Sequence, residues 1–138
     1  MTSNILYKGE LRTICTHLKS GQEIFTDAPT DNNGKGEAFS PTDLLATSLG
    51  SCMLTIMGIT AQRHEIDLKN TEVKITKIMA ESPRRVHKII ADVIFTNNLN
   101  LTEKQKVLLE SSAKACPVAK SLHPEIIQEI SFFYHHNS

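Results

Sequence analysis

The chain reads as a single α+β domain over residues 1–138: an antiparallel sheet packed on a long, buried central helix, with a second helix beside it. Three observations predict this. An uncharged run from Leu44 to Gln62 follows a helix-start signal. Stretches with a period of two flank it on both sides. A second helix start at Thr102 is followed by a closing β-rich stretch. The order is strands, long helix, two strands, helix, short helix, strand. That is an α+β arrangement with an antiparallel sheet.

The opening strands come first. Residues 4 to 9 and 11 to 17 alternate polar and apolar side chains, Lys19-Ser20-Gly21-Gln22 forms a turn, and Glu23 to Asp27 makes a third short strand. Cys15, between Ile14 and Thr16, reads as a small buried residue. Asp27 to Phe39 is a loop with mobile backbone at Asn33-Gly34 and Gly36. A loop of this length leading into the central helix is placed to hold binding groups.

The central helix starts at Ser40-Pro41-Thr42-Asp43. Ser40 can cap free N–H groups, Pro41 suits the first helical position, and Asp43 completes a capping-box-like pattern. Leu44, Leu45, Leu49, Met53, Ile56, Met57 and Ile59 fall around most of the helix, so burial on all sides is expected. From Ser40 to His64 it would run roughly 36 Å. A compact chain of this size has a radius of gyration of roughly 14 Å and cannot wrap such a helix alone, which predicts a two-fold homodimer with the central helices near the contact. The run is almost long enough to span a membrane. Five hydroxyl residues, two glycines and the lack of a flanking aromatic belt favour a core helix instead.

Beyond the helix, Glu72 to Ile78 and Val86 to Phe95 form a hairpin around the turn Ser82-Pro83-Arg84-Arg85. Asn97-Asn98 breaks the chain, and Thr102 to Gln105 is a capping box for the second helix. Pro117 starts a short third helix and puts Cys116 at its N-terminus, where N–H groups favour a thiolate. Ile126 to Phe133 is the final strand, and His135-His136 lie in a frayed tail.

Composition narrows the function. Acidic and basic side chains balance to a net charge of zero, which argues against a nucleic-acid binder. Three widely spaced cysteines do not make a secreted disulfide framework. With no apolar block near Met1 to Leu11, a reducing cytoplasm is the expected compartment. A metal site from Cys52, Cys116 and His64, His87 or His123 has no short ligand spacing behind it. Cys52, within the uncharged helix, and Cys116, at a helix start, can also be read as two core residues. Brought together, they could run a peroxide cycle of sulfenic acid and disulfide.

The run Ser40-Pro41-Thr42-Asp43-Leu44-Leu45-Ala46-Thr47-Ser48-Leu49-Gly50-Ser51-Cys52 resembles the signature of the OsmC/Ohr family of thiol peroxidases. Cys116-Pro117-Val118, with Leu122 following, is similar to the family's second cysteine motif, and Pro83-Arg84-Arg85 before a β-rich segment fits the pattern. The resemblance implies an intertwined α+β homodimer with its thiols near the subunit boundary. Cys52 would be peroxidatic and Cys116 resolving. The substrate would be an organic hydroperoxide, an external dithiol would be the reductant, and no cofactor would be needed. The best-studied branches carry a glutamate directly after the motif proline. Here Thr42 stands there and the acid comes one later, at Asp43. Those branches also place an arginine before the helix. Arg12 is the one arginine there, and neither it nor Lys8, Lys19 or Lys35 aligns. Arg84 and Arg85 are the substitute cations, although a solvated turn explains them equally well. The competing expectation is a non-enzymatic dimer that senses redox state, or binds an apolar ligand beside Met53, Met57 and Met79.

Overall fold

In a computed structural model, which describes residues 1–96 and 99–135, the elements follow the expected order. They are β1 (Ser3–Gly9), β2 (Arg12–His17), β3 (Glu23–Asp27), α1 (Pro41–Arg63), β4 (Glu72–Ala80), β5 (Arg85–Ile94), α2 (Glu103–Lys114), α3 (Pro117–Ser121) and β6 (Ile127–Phe133). Asn97, Asn98 and His136 lie outside the described residues. The chain divides into two compact units, Met1–Leu45 and Ala46–Ser138, with the boundary inside α1.

The first unit is an antiparallel meander, β1-β2-β3, with Ile5 opposite Cys15 and Cys15 opposite Ile24. The loop after β3 makes one turn of 3-10 helix at Thr30–Asn32, closed by Asn33 in the left-handed conformation. Gly34 is required there, because a Cβ would sit 1.7 Å from the Ala28 carbonyl oxygen. The apolar side chains of this sheet are open: Ile5, Leu6, Tyr7, Ile24 and Phe25 are all exposed. Cys15 is half-buried rather than buried, with its sulfur 3.8 Å from the Thr13 hydroxyl.

The second unit holds the hydrophobic core. Leu49, Met53 and Met57 from α1, Ile89, Ala91 and Val93 from β5, and Leu109 from α2 are fully buried in it. Gly50 lets α1 lie close to β4: a Cβ there would come within 3.1 Å of Ile75 and 3.3 Å of Val73. Within one chain, the burial of α1 is one-sided. Buried residues Ala46, Leu49, Gly50, Met53, Met57 and Ala61 form one stripe, while Leu45, Ser51, Thr55 and Ile59 are exposed. A helix can bury only the face that a sheet or helix covers, and one chain covers one side. By length and hydropathy α1 could also cross a membrane, but its buried stripe is that of a core helix.

The expectation of an antiparallel sheet holds for β1-β2-β3 and for β4 with β5. It fails for β6, which pairs with β5 in parallel, Lys88 opposite Ile127 through Ile94 opposite Phe133. The reason is the connection. The chain leaves the end of β5, passes through α2 and α3, and returns to the start of the same strand. Such a crossover gives a parallel neighbour.

Candidate functional site

The sequence of α1 puts Cys52 on the turn between its buried stripe and its open face, and the residue is half-buried. Cys116 arrives from the other end of the unit. Pro117 cannot continue a helix backwards, so the chain is extended at Cys116 (φ −66°, ψ 149°) and α3 begins with Pro117 at its first turn. Cys116 is fully buried in the core cluster. The two thiols, far apart in sequence, are near enough for the Cys52 side chain to act on the ionisation of Cys116, and no disulfide joins them.

Cys116 also caps α3. Its sulfur accepts the Ala119 N–H at 3.4 Å, and the Val118 N–H points at it as well. Both donors favour the thiolate, as a helix start should. Burial outweighs them, and the Cys52 thiol adds to it, so the Cys116 thiol is pushed up from its ordinary value. This corrects the expectation of a readily ionised thiol at that helix start. Cys116 is held protonated and dry, while Cys52 keeps a path to solvent.

The remaining candidates separate from the thiols by what they bond to. Asp43 and Ser40 form a reciprocal cap on α1: the Ser40 N–H donates to an Asp43 carboxylate oxygen at 2.9 Å, and the Asp43 N–H to the Ser40 hydroxyl at 3.0 Å. Arg84 and Arg85 lie at the β4–β5 turn, exposed, and the Arg85 guanidinium donates to the Pro83 carbonyl at 2.9 Å.

Arg12, which did not align, turns out to be the centre of an ion cluster in the first unit. Its Nε and one terminal nitrogen grip both oxygens of buried Asp27 at 2.7 and 2.8 Å, and it reaches Glu37 at 3.2 Å. The Glu37 N–H adds a further bond to Asp27 at 3.2 Å. The guanidinium therefore holds Asp27 below the usual carboxylate range against the effect of burial, and Asp27 raises Arg12 in turn. Lys35 and Glu10 make a second, exposed pair at 2.7 Å. No sequence spacing could have shown this cluster, since its members come from β2, β3 and the loop. Gln128 was also missed. It donates from β6 to the Ala119 carbonyl at 3.0 Å. Its signal was a polar residue in phase with Ile130 and Phe132.

Among the described residues, no group of three or more His, Cys, Asp or Glu side chains is arranged to hold a metal ion. Met53 and Met57 are fully buried core residues.

Comparison with known proteins follows the same line. A family model described as OsmC-like protein matches residues 34–131. A crystal structure from Psychrobacter arcticus 273-4, of a protein named for osmotic stress induction and detoxification response, is 53% identical, with a TM-score of 0.92 and 96% of each chain covered. An organic hydroperoxide resistance protein OsmC from Legionella pneumophila shares the fold at 15% identity, with a TM-score of 0.73 over 96% of each chain. So does an organic hydroperoxide resistance protein from Elizabethkingia anophelis, at 15% identity and a TM-score of 0.66, covering 99% of this chain and 97% of that one. Comparison with curated proteins found no match. With a family model spanning both cysteine motifs and a relative at 53% identity over nearly the whole chain, this protein belongs to the OsmC-like family.

Proposed function

We propose that the protein is a thiol peroxidase that reduces organic hydroperoxides in the cytoplasm, with Cys52 as peroxidatic and Cys116 as resolving cysteine. The observation that carries this is the unequal access of two neighbouring thiols: Cys52 half-exposed, Cys116 sealed in the core. An attacking thiol has to meet its substrate, whereas a resolving thiol has only to meet the first sulfur.

The Cys52 thiolate attacks the terminal oxygen of the hydroperoxide. The O–O bond breaks, the alcohol leaves with a proton, and Cys52 becomes a sulfenic acid. Cys116, deprotonated, then attacks that sulfur. The S–O bond breaks, hydroxide leaves and takes up a proton as water, and a disulfide forms. An external dithiol returns both cysteines to thiols by exchange and is itself oxidised. Burial suits Cys116 to this order, because a thiol held protonated does not compete for peroxide. Asp43 contributes by capping the helix that carries Cys52. The proposal extends to a homodimer: a second copy would cover the open apolar side of α1 and the exposed apolar residues of β1–β3.

A coupled peroxidase assay with cumene hydroperoxide tests it. Cys52→Ser should abolish turnover, and Cys116→Ser should leave a sulfenic acid trappable at Cys52. Arg84→Ala and Arg85→Ala, in the same assay, test the activating cation. Wild-type activity in both cysteine variants would refute the assignment. Hydroperoxide left unconsumed by the wild-type protein would favour the non-enzymatic reading.

A further inference from the structure

The helix that Cys116 caps is five residues long. A single turn has too few internal bonds to hold its own shape, so its geometry must be imposed from outside. Its carbonyls near the C-terminal end have no partner further along the helix. Ala119 is such a residue, and its carbonyl accepts the side-chain N–H of Gln128 at 3.0 Å. Gln128 stands on β6 opposite Ile89 of β5, in the run Gln128, Ile130, Phe132 that faces the core. A polar side chain at that phase is costly unless bonded, and this one is spent on α3.

The same residue, Ala119, gives its N–H to the Cys116 sulfur at 3.4 Å. Sheet, Gln128, Ala119 and Cys116 thus form a continuous chain of contacts. We infer that Gln128 is a positioning residue for Cys116: by gripping the Ala119 carbonyl it keeps the Ala119 N–H aimed at the sulfur that closes the disulfide. This rests on the reading of Cys116 as the resolving thiol. A hydrogen bond to an ionised group is worth about tenfold or more in its population. When the grip is lost, the thiolate loses that donor and only the Val118 N–H is left to oppose burial.

The test is a carbon-13 NMR titration of labelled cysteine in the full chain, on a Cys15→Ser, Cys52→Ser background so that Cys116 titrates alone. Gln128→Met keeps the length without the donor. It should move the Cys116 midpoint up by about one pH unit, a tenfold change in thiolate at fixed pH. In the chain that keeps both site cysteines, closure of the disulfide at neutral pH should slow about tenfold. Gln128→Glu, which cannot donate once ionised, is read in parallel in case one variant fails to fold. With Gln128 intact, the Ala119 amide proton should shift as Cys116 ionises. An unmoved midpoint and closure rate in a folded variant, with or without a lower melting temperature, would overturn the inference. So would a silent Ala119 amide. The titration needs no peroxide. A chain that shows the shift but no turnover therefore sinks the proposed reaction alone, and one with turnover but no shift sinks the role of Gln128 alone.

Discussion

Oxidation of the native protein with one equivalent of hydroperoxide should stabilise it strongly. Cys52 and Cys116 are free neighbours, and the proposed reaction joins them by a disulfide. It would close a loop of about 65 residues, and the chain-entropy relation then gives a gain of about 4 kcal/mol at 25 °C. With an unfolding entropy of about 2.1 cal/mol/K per residue, this corresponds to a melting temperature higher by about 15 °C. Calorimetry of reduced and oxidised protein checks it, in a Cys15→Ser chain so that only one disulfide can form. Urea titration at fixed temperature gives the same difference independently. A gain below about 1 kcal/mol, or a loss, would mean that the bond strains the core. The reasoning that places the two sulfurs ready for each other would then fail.

Other outcomes follow from single contacts. Gly50→Ala should change stability by less than about 1 kcal/mol, because better helix propensity offsets crowding against Ile75. Gly50→Val should cost about 2 kcal/mol from overpacking, and denaturant unfolding distinguishes the two. Ser40→Ala should cost about 1 kcal/mol through loss of the cap while leaving the cysteines reactive, so alkylation rates and melting temperature part company. Asp27 is depressed in the folded state, so its contribution is complete above the ordinary carboxylate range and is lost as pH falls through the lower folded value. Arg12→Ala removes the cause of the depression and should move acid unfolding to higher pH, read by circular dichroism between about pH 2 and 5.

The elements were legible because each carries its own punctuation. Ser40-Pro41 with Asp43, and Thr102 with Gln105, announced two helices, and both caps are formed. Pro117 marked α3 and the extended backbone at Cys116. What stayed hidden depends on contacts between distant residues. The parallel pairing of β6 follows from a crossover that no local pattern records. The open face of α1 follows from how many neighbours one chain can supply, whereas apolar residues on every side spoke only of how many it wants. Arg12 looked like a stray cation until Asp27 and Glu37 closed on it. At Cys116 the helix start was readable, but the depth of burial that outweighs it was not.

The crossover has a consequence for biosynthesis. β6 is the last of the strands to be translated, and it seats beside β5 only after both cysteines have left the ribosome. Until then Ala119 lacks its brace and Cys116 lacks the packed surroundings that seal it. A nascent chain therefore carries Cys116 unsealed and unbraced. Under the proposed reaction, the division between attacking and resolving thiol would begin only when the final strand docks.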